Sequence, residues 1–518
     1  MNIFKYDLWM DEVVSDTFSD RFVSNYSQMF GVSPVSVLID KIKADPPSSL
    51  YYLTINFYSK LFGDGKSLRI VSLLFSMLTL YLIYLVSRLF FSQRASIYAV
   101  LIMAINPFHI WYAQEARVYS MACFFSLLMV YFFIKGIRSD KKSFWLGFVF
   151  AGILAVYSSY HAGFLLVATL IALFFKKNRK HSVKLVFSII IIVLFSIVLN
   201  PALKTQIGFV KSSFWLQPPK MIMLVYTLMV FTLGYSASLV QHIIGMLVYV
   251  VLFVYGINVF LKVDKEDTIL LFSFFIFPII AVFAFSKTIL PVYLNRQMIM
   301  FSPFYYLLVA KGIDSIKKRD LRLISLVIVI LLGLFSLRNF YKGKVYPEDI
   351  KAYCWGNVHE KKNYSELVEY VVEQYKEGDM VAATDLESYN LFLLYVVKNY
   401  KELDFHPSGM FRYVFYPKYV EPFTSRFLQI DEHINELSLD VVEDLHDCSL
   451  TNTGSLSVRK FNSNKTPFKR IWLLSSSTIK ASSISNSSVL VRNKIAESFY
   501  GLSSKEKDGF YVDLFVKK

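Results

Sequence analysis

Long stretches without a charged residue constrain this chain more than any other feature of its sequence. A helix that crosses the hydrocarbon core of a bilayer needs about 20 mostly apolar residues, and stretches near that length recur between Ile70 and Leu337. Only 18% of the 518 residues are charged, whereas soluble domains average about 25%. These properties argue against a soluble or disordered chain and predict an α-helical polytopic membrane protein. The stretches are Ile70–Ser87, Ala95–Gln114, Val118–Ile134, Ser143–Phe175, Leu185–Leu203, Met221–Val240, Ile243–Leu261, Thr268–Ser286, Gln297–Ala310 and Leu323–Leu337.

Three of these stretches need adjustment. Ser143–Phe175 is too long for one helix, and His161 and Gly163 in its middle predict a break with a short span on each side. The last two stretches, Gln297–Ala310 and Leu323–Leu337, are short for a bilayer, and flanking Lys or Arg side chains can complete them by reaching the interface.

Basic residues in the short loops predict the orientation, because Lys and Arg accumulate on the cytoplasmic side. Four clusters can share that side only if Met221–Val240 does not cross completely, so this segment is predicted to be buried, re-entrant or half-spanning. The result is about ten full spans, with both termini on the outer side. The clusters are Arg88/Arg94, Lys135/Arg138/Lys141/Lys142, Lys176/Lys177/Arg179/Lys180/Lys184 and Lys311/Lys317/Lys318/Arg319/Arg322.

The chain divides by composition into an outer loop (residues 1–67), a multi-span region (68–340) and a charged tail (341–518). The outer loop holds no span and no signal peptide although it must reach the outer face. Either the first span exports its own N-terminus, or the start codon is assigned too late and one helix is missing, and we favour the second explanation.

The tail shows short helical and strand patterns and is predicted to form a small α/β domain outside the membrane. A Ser-rich stretch, Ser475–Ser488, is predicted to be a loop. The other elements are helices at Tyr364–Lys376 and Leu391–Val397 and strands at Met380–Ala383, Arg470–Leu474 and Phe510–Phe515.

Several function classes lose support at this stage. Three cysteines exclude a disulfide scaffold, and Cys354 and Cys448 in the tail are as compatible with two thiols as with one disulfide. The chain has no P-loop, GxGxxG, HExxH or CxxC motif. The net charge of +16 resides largely in short loops, so nucleic-acid binding is discounted.

Ionisable residues at the predicted outer ends of spans are the most informative ones, because charge near hydrocarbon usually serves a function. They bring acids and two arginines to one face of the membrane. Arginine grips phosphate bidentately, so the set is suited to a lipid phosphate next to a carboxylate. The candidates are Asp11 and Glu12, Asp45 with Tyr51 and Tyr52, Glu115 with Arg117 and Tyr119, His161, and Arg296.

Each candidate residue can also be explained without a role in binding or catalysis. Adjacent acids are usually solvated, a single histidine is more often a hydrogen-bonded structural residue, and one Arg can simply reach the interface. Glu115 and Arg117 are two residues apart, so on a helix they point to different faces and need separate partners.

These residues lie in motifs that resemble the GT-C membrane glycosyltransferases, in the bacterial branch of the protein O-mannosyltransferases and the aminoarabinose transferase of lipid A (family 39/83 type). The segment NPFHIWYAQEARVYS is the most specific match, and Asp45 stands where the family often has His. The other matching segments are LWMDEVVS, DPPSSLYYLTINFYSKLFGDGKSLRIVSLLFS, YSSYHAG, SSFWLQPP and YLNRQMIMFSPFYYLLVAKGI.

The resemblance implies the GT-C fold and an inverting transfer of a sugar from a polyprenyl-phosphate donor to an acceptor hydroxyl at the outer face. It implies Asp11 as the catalytic carboxylate, aided by Glu12, with Arg117 and Arg296 on the donor phosphate. Asp45, Glu115, Tyr119 and His161 are candidates for binding sugar or acceptor. No metal or other cofactor is expected, because arginine alone can meet phosphate charge. The expected location is the plasma (inner) membrane, with the tail extracytoplasmic.

Two other functions remain open at this stage. A glycan polymerase or ligase would use a lipid-linked oligosaccharide as donor. A transporter of lipid-linked sugar would show mid-membrane charges and repeat symmetry, neither of which the sequence contains. The acceptor can be a glycan, a lipid or a protein.

Overall fold

The computed structural model describes residues 8, 10–44, 49–198, 218–342, 344, 365–376, 379–383, 386–399, 401, 414–415, 448–450, 456–458, 469–476, 499–507 and 510–517. The chain forms two compact units that are not contiguous in sequence. We call Pro46–Thr54 with Arg69–Glu360 the membrane unit, and Met1–Asp45 with Ile55–Leu68 and Lys361–Lys518 the terminal unit.

Long apolar helices dominate the membrane unit, as the charge-free stretches predict, and they make the chain a multi-pass membrane protein. Helix α4, Ser49–Phe62, contributes its first turn to this unit. The helices that follow are α5 Arg69–Phe90, α6 Gln93–Ile105, α7 Pro107–Ala113, α8 Tyr119–Ser139, α9 Lys142–Ser158, α10 Ala162–Ala168, α11 Ser182–Val193, α12 Ile222–Leu233, α13 Leu239–Val263, α14 Lys265–Thr288, α15 Ser302–Asp314 and α16 Arg319–Tyr341.

Among the described residues, five helices are long and apolar enough to cross a bilayer: α5, α8, α13, α14 and α16. The pair α6 and α7, bent by 61°, makes a sixth if it is one span. The predicted break near His161 is confirmed, because α9 ends at Ser158 and α10 starts at Ala162. The total of about ten spans stays a prediction.

The stretch Gln297–Ala310 differs from the continuous helix that was predicted. It begins as a 3-10 turn, Asn295–Phe301, and continues as α15. Of the α15 residues, Ser302 to Ala310 are buried without interruption. This helix is 13 residues long, about 20 Å, so it is shorter than the hydrocarbon core.

Helix α12 is a short apolar helix within Met221–Val240, and the incomplete crossing of that segment stays a prediction. Its 12 residues span about 18 Å, and its last carbonyls end inside the helix bundle. Asn106 Nδ2 donates to Phe231 O at 2.8 Å, Tyr306 Oη donates to the same carbonyl at 2.9 Å, and Ser336 Oγ donates to Leu233 O at 2.7 Å. These donors satisfy carbonyls for which a bilayer interior offers no water.

Helices α13 and α15 approach each other through glycines. A Cβ on Gly312 would lie 2.0 Å from Leu252 O, and one on Gly256 would lie 2.3 Å from Leu308 O. Small residues at such a crossing let two backbones come into contact.

Ion pairs join helix ends that carry the basic clusters. Arg138 at the end of α8 pairs with Asp267 at the start of α14, and Arg94 pairs with Asp314. Lys184 Nζ lies 2.6 Å from Asp140 Oδ1. That this is the cytoplasmic side stays a prediction.

The terminal unit combines the first helices of the chain with the tail. The helices are α1 Met10–Asp16, α2 Asp20–Phe30, α3 Pro34–Ala44, α17 Ser365–Gln374 and α18 Leu386–Asn399. The strands are β1 Met380–Ala383, β2 Val414–Phe415, β3 Cys448–Leu450, β4 Leu456–Val458, β5 Arg470–Ser476, β6 Phe499–Lys507 and β7 Phe510–Lys517.

The larger sheet has the order β2-β1-β5-β7-β6, with β1 parallel to β2 and β5, and β7 antiparallel to β5 and β6. The predicted tail helices and the strands at residues 380, 470 and 510 are confirmed. The predicted loop at Ser475–Ser488 is wrong at its start, because Ser475 and Ser476 extend β5. Its remaining residues and Cys354 lie outside the described residues, as does the Cys448 side chain, so the disulfide question stays open.

The start of β5 is pinned to the turn before β1 by a buried acid. Arg470 Nε donates to Asp379 Oδ1 at 2.8 Å, and Trp472 Nε1 donates to Asp379 Oδ2 at 3.0 Å. The hydrogen bond from Arg470 to Asp379 raises the pKa of Arg470 above its ordinary value. The bonds of Asp379 to Arg470 and Trp472 thus join the start of β5 to the start of β1, its parallel neighbour.

Candidate functional site

The motif from Asn106 to Tyr119 builds the centre of the candidate site by interrupting a span. Asn106 caps α7, because its Oδ1 accepts from Phe108 N at 2.9 Å, and Pro107 occupies the first helical position. Helix α7 ends at Ala113, and α8 begins at Tyr119. The intervening turn carries the two charged residues of the motif.

Glu115 and Arg117 have separate partners, as their spacing predicted, although they lie in a turn and not on a helix. Arg117 N donates to Glu115 O at 2.8 Å, which closes the turn. The Glu115 carboxylate accepts from Trp111 Nε1 and is 1% exposed. Arg117 Nη1 donates to Tyr52 Oη at 3.1 Å. The arginine is thereby tied to the start of α4.

The backbone of Arg117 is fixed as well. Ser72 Oγ, on α5, donates to Arg117 O at 3.0 Å and lies 3.1 Å from Tyr51 Oη. Tyr51 and Tyr52 are fully buried. The tyrosine pair of the α4 motif therefore positions this cation rather than lying free on a membrane surface.

Arg296 lies in the 3-10 turn before α15 and is 7% exposed. Its guanidinium carbon is 6.0 Å from the centroid of the Tyr119 ring, at the outer limit of a cation–π contact. Thr227 of α12 donates to Asn295 Oδ1 at 2.8 Å and lies 2.6 Å from Tyr293 Oη. Helix α12 thus holds the turn that carries Arg296.

Two tyrosines that sequence reasoning missed complete the cluster. Tyr112 Oη and Tyr235 Oη are 2.9 Å apart, and the Tyr112 ring packs against Tyr119 with centroids 4.6 Å apart. Glu115 and Arg296 both lie within electrostatic range of these two hydroxyl groups. We call Tyr112, Glu115, Tyr119, Tyr235 and Arg296 the Arg296 cluster.

The Arg296 cluster places a guanidinium, a carboxylate and three phenols in a buried setting. In low dielectric such charges interact strongly with one another and with any charged ligand. Tyrosine hydroxyls can both donate to and accept from sugar hydroxyls. The arrangement is therefore suited to an anionic headgroup that carries a polar substituent.

His161 is held by hydrogen bonds at both ring nitrogens. Its Nε2 lies 3.1 Å from Val292 O, and its Nδ1 lies 3.3 Å from Ser159 Oγ. Through these two contacts, His161 links the break between α9 and α10 to the segment before Arg296, which is a structural role. A role of His161 in binding sugar or acceptor stays a prediction.

The predicted acids lie in the less fully described part of the chain. Asp11 belongs to helix α1, but its side chain is outside the described residues, as is all of Asp45. Glu12, next to Asp11, is fully buried in the terminal unit. The catalytic roles of Asp11 and Glu12 stay predictions.

No group of three or more His, Cys, Asp or Glu side chains that could hold a metal ion occurs among the described residues. Whether the reaction uses a metal is a separate question, and the expectation of a metal-free transfer stays a prediction.

Similarity to known proteins is found in one family model and in solved structures. A family model described as dolichyl-phosphate-mannose-protein mannosyltransferase matches residues 45–203, which include Glu115, Arg117 and Tyr119. No curated protein matches the sequence.

The solved structures show a shared fold at low identity. The structure is similar to apo ArnT from Cupriavidus metallidurans, with a TM-score of 0.61 and 10% identity, over 98% of this chain and 94% of that chain. It is also similar to the same protein bound to undecaprenyl phosphate, with a TM-score of 0.58 and 12% identity, over the same shares. The family model matches residues 45–203 only, and the likeness to ArnT over nearly the whole chain is a likeness of fold.

Proposed function

We propose that this protein transfers a sugar from a polyprenyl-phosphate donor to an acceptor hydroxyl, with inversion, at the outer face of the inner membrane. The acceptor oxygen forms a bond to the anomeric carbon as the bond from that carbon to the phosphate oxygen breaks. The acceptor proton passes to the Asp11 carboxylate, and the bonding electron pair leaves with the polyprenyl phosphate. The tail domain lies on the same outer side.

The observation that carries this proposal is the Arg296 cluster. A buried guanidinium, in a turn that α12 holds and with the Tyr119 ring centroid 6.0 Å from its carbon, is suited to a lipid phosphate. The fold likeness supports the choice of ligand, because the similar ArnT structure is bound to undecaprenyl phosphate.

Each candidate residue then has a distinct role. Arg296 and Arg117 stabilise the charge that builds on the departing phosphate, which is catalysis by prepositioned cations. Because phosphate is a good leaving group, a single carboxylate is sufficient, and Asp11 acts as general base while Glu12 orients it. The smaller contributions to sugar or acceptor binding come from Asp45, Glu115, Tyr119 and His161.

The phosphate part of the proposal is tested by lipid binding. Native mass spectrometry of the full chain with undecaprenyl phosphate is expected to show binding that neutral undecaprenol does not match. Arg296→Gln and Arg117→Gln should each weaken binding about 10-fold or more, because hydrogen bonds to charged groups contribute about 1.5–3 kcal/mol. Arg319→Gln is the matched control, since Arg319 is exposed at the start of α16. Unchanged binding by both site variants would contradict the assignment.

The transfer itself is tested without knowing the sugar. A lipid extract of the source organism supplies donor and acceptor, and mass spectrometry follows the release of free polyprenyl phosphate. Asp11→Asn should reduce the rate about 10²–10⁴-fold and leave undecaprenyl phosphate binding intact, while Asp20→Asn in α2 is the control. Consumption of an oligosaccharide carrier would indicate a polymerase or ligase, and a wild-type protein that releases no polyprenyl phosphate would indicate a transporter.

A further inference from the structure

Asp11, the predicted general base, belongs to a helix of only seven residues. Helix α1 contains Asp11 and ends at Asp16, and an isolated helix of this length is unstable in water. Its position must therefore come from the residues packed against it. In the terminal unit, these residues belong largely to the tail, more than 350 positions later in the sequence.

The contact is an ion cluster of three side chains. Lys398 Nζ, on α18, lies 2.7 Å from Asp16 Oδ2 and 2.9 Å from Asp64 Oδ2. Asp16 is 1% exposed, and its other oxygen accepts from Gly65 N at 3.1 Å. Without the lysine, two carboxylates would face each other with little access to water, which is strongly unfavourable. Lys398 therefore keeps the end of α1 in place.

The same end of α18 is tied to the next helix. Asn25 Nδ2 donates to Val397 O at 3.1 Å and to Lys398 O at 2.9 Å, and Arg21 Nε donates to Lys398 O at 2.9 Å. The last carbonyls of a helix have no partner within it, so α2 supplies the donors that α18 needs. Helices α1 and α2 are thus bound to the tail by charge and by capping.

An apolar core joins these polar contacts. Side chains from the N-terminal helices pack in one buried cluster with side chains from the tail helices and sheet. The N-terminal members are Leu8, Val13, Phe22, Val23, Tyr26, Met29 and Val37, and the tail members include Val371, Phe392, Val396, Trp472 and Val512. Helices α1 to α3 and the tail are therefore parts of one folded unit.

We propose that Lys398 is a positioning residue, through which the tail domain holds the α1 backbone that carries Asp11. This inference rests on the proposed function, because it takes Asp11 as the general base. Asp11 precedes Asp16 by five residues, about 7.5 Å along the helix axis, so a shift at the ion cluster reaches Asp11. Lys398 acts through Asp16 and does not itself touch substrate.

The test compares Lys398→Met, Lys398→Arg and a control lysine variant in the full chain. Lys505→Met is the control, since Lys505 is exposed over the Tyr370 ring in the same domain. Hydrogen exchange should be about 10-fold faster or more for the amides of residues 14–16 in Lys398→Met, since the first four amides of a helix have no acceptor within it, and it should be unchanged in membrane helix α8. Lys398→Arg keeps the charge and should restore most of the protection. Lys505→Met should behave as the wild type.

Transfer kinetics give the second readout. Lys398→Met should lower kcat by about 10²-fold, the cost of misplacing a reacting group by about 1 Å. The KM for donor should stay within about twofold, because Arg117 and Arg296 bind the donor phosphate. A variant that only loosened the fold would lose undecaprenyl phosphate binding together with kcat. The combination Asp16→Asn with Lys398→Met should cost no more than the lysine variant alone.

The outcomes separate the two claims. Unchanged exchange in α1, or an unchanged kcat despite faster exchange, overturns the positioning role of Lys398. Loss of kcat only in proportion to loss of folded protein, with KM and kcat changing together, also overturns it. If Asp11→Asn transfers normally while α1 still depends on Lys398, the proposed base is wrong and the structural coupling stands.

Discussion

Two kinds of helix occur in the membrane unit, and their difference identifies the site. Helices α5, α13 and α16 run uninterrupted and expose apolar faces, with Leu247 65% and Met77 59% exposed. The interrupted segments are α7, α12 and the turn at Asn295–Phe301, which are largely buried. Helices α5, α13 and α16 thus carry exposed apolar faces, and the short segments meet polar side chains.

The comparison shows why a polar site forms where helices break. A helix end inside a bilayer needs donors and acceptors from neighbouring side chains, and here Asn106, Tyr306 and Ser336 supply them to α12. The segments that carry these donors also carry other polar side chains near the helix ends. Arg296 and Glu115 both lie at such breaks, and neither lies in the middle of a long span.

The largest expected effect comes from removing the cation at a break. Arg296→Gln should lower the rate of polyprenyl phosphate release about 10²–10³-fold, the range for removing one prepositioned donor to developing charge. Mass spectrometry of the released lipid measures it. A rate within twofold of wild type (about 0.4 kcal/mol) would remove Arg296 from the mechanism and weaken the link between breaks and function.

The second-largest effect is expected on stability, at the crossing of α13 and α15. Gly312→Ala should destabilise the protein by about 3 kcal/mol or prevent folding, because the new Cβ would meet the Leu252 carbonyl oxygen at 2.0 Å. Thermal unfolding in detergent measures the change. Gly163→Ala is the control, since nothing lies within 4 Å of its new Cβ. Equal stability of the two variants would mean that the helices do not cross as described.

An intermediate effect is expected for the hydrogen bonds that Asn106 makes to the last turn of α12 and to the start of α7. Asn106→Ala removes the donor to Thr232 O and the cap of α7, and it leaves Phe231 O with Tyr306 Oη as its remaining donor. Leaving such buried groups unsatisfied costs about 1–3 kcal/mol, which thermal unfolding can resolve. If stability does not change, water or another group satisfies these carbonyls, and α12 does not depend on its polar neighbours.

The smallest effect is expected on the face that meets lipid. Leu247→Ala should change stability by less than about 0.5 kcal/mol, because the lipid that replaces the side chain is as apolar as leucine. Leu252→Ala in the same helix, where the side chain is 6% exposed, should cost about 2–5 kcal/mol. Comparing the two unfolding temperatures tests the contrast directly, and a larger loss for Leu247 would reverse the assignment of faces.

The sequence predicted the long helices and several tail elements well, because their signals are local. Hydropathy located α5, α8, α13, α14 and α16. Periodicity located the tail helices and three strands of the larger sheet. The edge strand β6 was missed, since its sequence FYGLSSKEK is polar and contains a glycine.

The site was predicted only in part, because its contacts are remote in sequence. Arg117, Glu115, Tyr119 and Arg296 stood out as charges or motif residues near hydrocarbon. Tyr235 did not, since it is one of 34 tyrosines and its partner Tyr112 lies 123 positions away.

The coupling of the first helices to the tail was equally invisible in the sequence. Lys398 and Asp16 are 382 positions apart, and neither residue lies in a motif that marks the pair. Buried ion pairs between distant segments become apparent only when the chain is folded.

The central claim is that a polyprenyl phosphate headgroup is bound by Arg296 and Arg117 of the membrane unit. A cryo-electron microscopy structure of the full chain with undecaprenyl phosphate tests it most directly. The account predicts phosphate oxygens about 2.7–3.2 Å from both guanidinium groups. A headgroup seated away from both arginines would contradict it.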